Sequence, residues 1–465
     1  MDLYDTTNIN PRIAGGTMLV RRMDELISHS KFLKPLRSKG VPLDKVANCL
    51  IAQRIDEPKS VLGCVRAMAH SAAPEEFGLD VPSERNFYRA LETLGVNAES
   101  LYANIADSAA GAVDLDLGEV YADWSSIVSY GDKRKLAKHG YSRDHRPDLT
   151  QLKFGVCIAG KLPFHYSLDD GNAPDVKQFA KDLDSVEKRL PKNAMLIYDK
   201  GGDSAAMRAE IRRRGFDYLT VLKEVPNTEK VVNSAVELKL VREYKTGEKV
   251  CGAMVKRGDE YCYVFRDERR AKQSLIARRK RAARELQERR ELERKALKRG
   301  SLKKRKVVKR ALGDTIIVTE TVIQQRLARK SDAEMEEEVM GDPSLDGFFV
   351  LVSSRKMGLK RALSRYRRRD DVEKLIDALK NVHDIKPMRA WKDESLAGVI
   401  FVCMLAALFT AVAQLLMNTK KRAKSVLEEL RNLTLLVKVG ENGRILSKRL
   451  AGLSDIVRDF LTSPG

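Results

Sequence analysis

Cysteine is sparse in this sequence and nowhere arranged for chemistry. The six residues, Cys49, Cys64, Cys157, Cys251, Cys262 and Cys403, include no C-x2-C pair. That spacing excludes a zinc module and a disulfide framework, and it fits a reducing cytoplasm. Histidine is equally scarce, with six residues and no H-E-x-x-H pattern, so no imidazole-based catalytic arrangement is written into the chain. The opening MDLYDTTNIN lacks a basic region followed by an apolar core, so no signal peptide is visible. Tryptophan occurs twice, at Trp124 and Trp391.

Long uncharged runs are also rare. One stretch, Ser395–Met417, carries no charge and is long enough to span a bilayer. It holds Ser, Thr, Gln and small residues within an otherwise charged chain. It therefore reads as a buried core helix in preference to a membrane span.

Positive charge is what the chain has in excess. Eighty-six Lys and Arg stand against 65 Asp and Glu, a net of +21. Such an excess implies a polyanionic partner, because each phosphate neutralised by Lys or Arg releases condensed counterions. Much of it lies in Arg266–Arg310, where 21 basic residues face 6 acidic ones, a net of +15 (21 − 6). Helix formers dominate this stretch, and Leu275, Leu286 and Leu297 are too few for a core face. Arg278, Arg279, Lys280 and Arg281 are its candidate DNA contacts; the competing reading is a solvated charged helix. With 43% hydrophobic residues the chain is of folded composition, and its length suits roughly two to four structural units.

The texture changes along the chain. Residues 1–112 read as helical, with apolar residues at three- and four-residue spacing. From 113 to 224 strands alternate with helices: strands at Val120–Tyr130, Leu152–Ile158, Pro163–Leu168, Met195–Asp199 and Tyr218–Leu222, helices at Asp175–Leu190 and Ser204–Arg214. Residues 225–343 read as an insertion, in which VVNSAVELKLVREY and EYCYVFRDE are strands of a separate sheet. Residues 344–417 resume the sheet at DGFFVLVSS, and 418–465 read as a basic helical tail suited to a partner. The whole reads as α/β, a mixed central sheet with helices packed on it.

Three carboxylates stand out against this frame. Asp123 interrupts the strand GEVYADWSSIVSY, a position where an aspartate is disfavoured unless paired or functional. Asp199 closes the apolar run AMLIY before Lys-Gly-Gly. The third is Glu373, singled out by the spacing Tyr366-x2-Arg369-x3-Glu373-x6-Lys380. At about 100° per residue on one helix, offsets of 3, 7 and 14 keep all four side chains within a stripe roughly 60° wide. A tyrosine, two cations and a carboxylate make a poor core face and a good active-site wall. Two strand-borne aspartates and a helix-borne glutamate are the hard oxygen ligands that a pair of Mg2+ ions takes in phosphodiester hydrolysis. Asp203 is either a further acid near the site or the N-cap of the helix that begins at Ser204.

At these residues the chain resembles the DDE transposases of bacterial and archaeal insertion sequences. It matches the cut-and-paste signature Tyr-x2-Arg-x3-Glu-x6-Lys at every position. The likeness extends to Gly140–Val156, Leu168–Asp175 and DGFFVLVSS, and covers about residues 85–415. It implies an RNase H-like fold with a β-containing insertion domain between the second and third acids. It also implies two Mg2+ ions, with Mn2+ as a substitute, held by Asp123, Asp199 and Glu373. Tyr366, Arg369 and Lys380 would position DNA phosphates. The N-terminal helices would bind the terminal inverted repeats of double-stranded DNA, and the C-terminal region would help form a homodimer. Relatives use an insertion tryptophan to stack on a flipped base; here Trp124 and Trp391 lie outside it, leaving Tyr244, Tyr261 and Tyr263. The implied activity is cleavage and strand transfer onto target DNA in a cytoplasmic, nucleoid-associated setting. The alternatives are a nuclease that cuts without strand transfer and a catalytically silent DNA-binding regulator.

Overall fold

Helix-period patterning carries most of the first 112 residues into helices, as expected. The computed structural model describes residues 9–463 except 39, 82, 131–133, 141–145, 147, 223–224, 236, 300–303, 313–314, 324–332, 334–336, 338–339, 341–343, 384, 386–391, 418–422 and 441–443. The described chain divides into two units, residues 1–191 with 370–465, and residues 192–369.

The first unit opens with strand β1 (Ile9–Ile13), then α1 (Gly15–Ile27), α2 (Ser30–Leu33), the short hairpin β2 (Arg37–Ser38) and β3 (Val41–Pro42), and α3 (Leu43–Asp56). Helices α4 (Val61–Ala67), α5 (Ala73–Glu76), α6 (Glu84–Val96) and α7 (Ala98–Ala112) follow. An antiparallel meander comes next: β4 (Glu119–Ser129), β5 (Thr150–Ala159) and β6 (Leu162–Asp170), with α8 (Asp175–Val186) after it.

The second unit begins with β7 (Met195–Tyr198), crosses over through α9 (Ala205–Arg213) and returns as β8 (Asp217–Val221), parallel to β7. After α10 (Val225–Asn233) come β9 (Lys239–Glu243), β10 (Lys249–Arg257) and β11 (Glu260–Asp267). Helix α11 (Glu268–Arg299), the hairpin β12 (Lys304–Leu312) and β13 (Thr315–Ile323), strand β14 (Phe348–Ser353) and helix α12 (Leu359–Arg367) complete it. Its strands form a mixed sheet in the order β7-β8-β14-β11-β10-β9.

That order corrects the expected separate sheet in 225–343. The apolar strand FFVLVS of β14 is buried and needs hydrogen-bonding neighbours on both edges; it takes β8 on one side and β11 on the other. Strands β9–β11 therefore extend the sheet that contains β8. Of VVNSAVELKLVREY only residues 231–233 belong to helix α10, and its strand is Lys239–Glu243. The basic stretch is helical only as far as Arg299, and Lys304 opens a strand.

The chain then returns to the first unit as α13 (Asp370–Asn381), α14 (Asp393–Leu416), α15 (Ala423–Arg431), β15 (Thr434–Val439), β16 (Ile445–Ala451) and α16 (Asp455–Thr462). The tail is thus not all helical. The alternating LTLLVKV segment becomes β15, which pairs with β16 on one edge and with the N-terminal β1 on the other. Helix α14 passes the length and hydropathy test for a membrane span, with mean hydropathy 2.6, yet 94% of its most apolar window is buried. It packs on α6, α3, α7 and β6, as the core reading expects. Its crossing with α6 is backbone to backbone: a Cβ on Gly398 would strike the Leu91 carbonyl, and one on Gly95 would strike that of Glu394.

Candidate active site

Asp123 sits in the middle of β4, where alternation sends consecutive side chains to opposite faces. Trp124 turns toward α8: its indole N–H donates to Asp182 Oδ2 at 2.8 Å, and its ring centre lies 4.9 Å from that of Phe179. Gly155, its partner in register on β5, leaves room for the indole. Asp123 therefore points away from α8. It is only 5% exposed, and its Oδ1 accepts the Trp124 backbone N–H at 2.9 Å. That bond orients the carboxylate.

Helix α13 packs against β4 and β5 in the same unit, through the buried face Val372, Ile376 and Leu379. Glu373 is exposed beside Val372, and Lys380 is half-buried seven residues on. Two turns apart, they share one side of the helix. Glu373 also belongs to the acidic first turn with Asp370 and Asp371, where the helix dipole favours negative charge.

In the second unit Asp199 follows β7, half-buried. The Tyr366 hydroxyl, at the end of α12, donates to Asp199 Oδ1 at 3.2 Å. The Arg369 guanidinium carbon stands 5.8 Å from the centre of the Tyr366 ring. Burial pushes the Tyr366 phenol well above its ordinary range; the Asp199 charge adds to this, and Arg369 opposes it. The phenol therefore stays protonated and remains a hydrogen-bond donor to Asp199.

The single-helix stripe expected for the four signature residues is not what forms. Helix α12 ends at Arg367, residues 368–369 make a turn, and α13 begins at Asp370. Tyr366 is the penultimate residue of the first helix, Arg369 lies in the turn, and Glu373 and Lys380 belong to the second. The backbone break follows from the Asp370–Asp371 start, whose acidic side chains favour a new helix N-terminus.

The remaining candidates divide in the same residue-by-residue way. Asp203 is no N-cap: Ser204 caps α9 by accepting the Met207 N–H at 3.1 Å. Asp203 is instead held by Arg208, whose Nη1 donates to both its oxygens at 2.7 Å. On α11, Arg278 is engaged within the protein, donating to the Met340 carbonyl at 2.7 Å and pairing with Asp346. Arg279, Lys280 and Arg281 are exposed. Tyr263 is fully buried, which removes it as a base-stacking ring. Tyr244 has guanidinium carbons of Arg242, Arg269 and Arg367 at 5.2, 5.6 and 5.4 Å from its ring centre. Trp391 and residues 141–145 and 147 of the Gly140–Val156 segment lie outside the described residues.

Carboxylate oxygens without thiolate or imidazole are the donor set of a hard divalent cation. Asp123, Asp199 and Glu373 fit it by chemistry. Among the described residues no group of three or more His, Cys, Asp or Glu side chains stands at metal-ligand spacing.

Residues 118–409 match the family model described as the transposase DDE domain. No curated protein matches in sequence. Among solved structures, a chain of the cryo-EM structure of the piggyBac transposase synaptic complex with hairpin DNA is similar at a TM-score of 0.43 and 9% identity, covering 97% of this chain and 82% of that one.

Proposed function

Because the chain belongs to the transposase DDE-domain family, we propose that it cleaves phosphodiester bonds at the ends of a mobile DNA element and joins the 3′-hydroxyls to target DNA. The observation that carries this reading is the hydrogen bond from Tyr366 to Asp199 at 3.2 Å. It ties a residue of the Tyr-Arg-Glu-Lys signature to an acid chosen independently of it, from its place at a strand end.

Asp123, Asp199 and Glu373 would hold the divalent ions, Mg2+ by donor type. When bound, such ions would activate the attacking oxygen and stabilise the leaving one. The protein's own side chains do the rest. Trp124 N–H and the Tyr366 hydroxyl orient Asp123 and Asp199, so the two carboxylates are set before substrate arrives. Arg369 and Lys380 supply positive charge for phosphate oxygens, Arg369 with a planar fork suited to two of them. The net charge of +21 draws in DNA of any sequence. The partners are terminal repeats and target DNA, acted on by a homodimer that holds two ends.

The test is a cleavage and joining assay on DNA bearing the element's terminal repeats, with and without Mg2+. Wild type should cut and join only with the metal, and Asp123→Ala, Asp199→Ala and Glu373→Ala should each lose both steps. Cleavage retained in any of the three removes that residue from the site. Cutting without joining by wild type would make the protein a nuclease.

A further inference from the structure

Between β14 and α12 the second unit carries a half-open cleft of about 390 Å³ lined by Arg355, Lys356, Met357, Gly358, Arg361 and Arg365. Four of these six residues are cations, and none is an acid. The volume falls among those of small-ligand clefts. Arg365 is buried, 8% exposed, and its Nη1 meets Met195 Sδ at 3.6 Å. Arg355 Nε lies 3.4 Å from Asp217 Oδ2, with half its side chain still in solvent. Lys356 and Arg361 are exposed.

The backbone adds to the same field. Helix α12 starts at this cavity with Gly358 as its N-cap, no side-chain cap and no acid in its first turn. Its N-terminal N–H groups and dipole favour an anion there. Gly358 leaves open space where a Cβ would stand.

The loop that presents Arg355 and Lys356 is tied down by hydrogen bonds. The Tyr263 hydroxyl accepts the Met357 N–H at 2.7 Å and donates to the Arg355 carbonyl at 3.2 Å. Ser353 Oγ accepts the Arg355 N–H at 3.1 Å, and Ser354 Oγ donates to Asp217 at 2.8 Å. The loop carrying Arg355 and Lys356 and the helix α12 carrying Arg361 and Arg365 bring four cations around one cleft, concentrating repulsion that an anion relieves. Preorganisation of this kind is what binding sites need and what a solvated charge cluster lacks.

We infer that this cavity is a phosphate-binding site, outside the carboxylate constellation, that grips the backbone of a DNA strand. It rests on the transposase reading only in taking DNA as the source of the phosphate. Arg365 and the helix N-terminus form the floor, and Lys356 and Arg361 close over the phosphodiester from the solvent side. The contact carries no base information, so it serves any sequence, as target DNA requires.

The experiment compares full-length wild type, Lys356→Ala/Arg361→Ala, single Arg361→Ala and the charge-keeping Lys356→Arg/Arg361→Lys. Each is titrated with a short duplex of arbitrary sequence across a salt series, then with ATP and with inorganic phosphate. The double alanine variant should bind duplex about tenfold more weakly at low salt. Its plot of log K against log salt should flatten by up to about 1.8, or about 0.9 for each phosphate that is no longer neutralised. The single variant should flatten it by half as much, and the charge-keeping variant should restore it. An unchanged slope in both alanine variants overturns the site. ATP binding that disappears in the alanine variants while duplex binding stays intact would assign the cavity to a free nucleotide and overturn the DNA contact. If wild type neither binds nor cuts DNA, this site and the proposed function fall together. Wild type that cuts and joins while the slopes stay equal removes the site alone.

Discussion

The phenol of Tyr366 is buried beside a carboxylate, and the hydrogen bond between them has a charged acceptor. Bonds of that kind contribute about 1.5–3 kcal/mol. Tyr366→Phe keeps the ring and its contact with Arg369 but leaves Asp199 free to rotate. We expect single-turnover cleavage to slow by roughly tenfold or more, with the thermal midpoint lowered by only a few degrees and DNA affinity unchanged. An unchanged rate would assign the hydroxyl to packing alone. Asp123 is the most legible of the candidate site residues, because an aspartate inside an apolar strand violates the pattern around it. What the pattern does not carry is how it is held. The Trp124–Asp182 hydrogen bond joins residues 58 positions apart, and no local signal announces it. The Asp203–Arg208 pair is equally hidden, since Asp203 and Ser204 are both good caps and only the geometry chooses Ser204.

Among the elements, apolar periodicity places the strands between residues 113 and 224 within two positions of where they form, but it misses β1, β2 and β3 in the region read as helical. It fails where two elements compete for one stretch. The signature spacing fits a continuous helix, and no proline or glycine warns of the break at 368–369. The run 355–365 crosses from a strand end into the first turns of helix α12, a usual place for an anion site, but its cations are inconspicuous against an already basic background. The C-terminal LTLLVKV alternates as a strand should, yet the charged helical residues before it favour a helical reading. Helix α14 shows the opposite case, for its lack of charge demands burial and burial is what it has. The close crossing at Gly95 and Gly398 fixes how it is buried. Gly398→Ala would push a methyl into the Leu91 carbonyl, so we expect a destabilisation of about 1–3 kcal/mol, read as a lower urea midpoint at an unchanged m-value. A midpoint within experimental error of wild type would show that the two helices can move apart without cost.

For the molecule as a whole, the dominant quantity is charge. A net of +21 would make the proposed association with DNA steeply salt-dependent whichever residues touch it. The structure apportions that charge more finely than composition can. Arg278 is committed to Met340 and Asp346, whereas Arg279 and Lys280 lie exposed on α11. Neutralising Arg279 and Lys280 together should weaken binding equally across DNA sequences and flatten the salt slope by about 2. Equal slopes for wild type and variant would make this helix a solvated face.

The amino-acid sequence by itself determined the alternation of strands and helices, the buried character of α14, the large positive charge and the spacing of the three candidate acids with their signature. All of these are local or additive properties: hydrophobic period, summed charge, and residue types that break a pattern. Tertiary structure alone decided that β9–β11 extend one sheet, that the N-terminal strand pairs with the C-terminal hairpin, and that the signature spans two helices. It also decided which arginines are engaged inside the protein and which face solvent. Those outcomes depend on hydrogen-bond partners and packing between residues tens to hundreds of positions apart, where one edge strand or one carbonyl must satisfy another. No spacing along the chain records that choice.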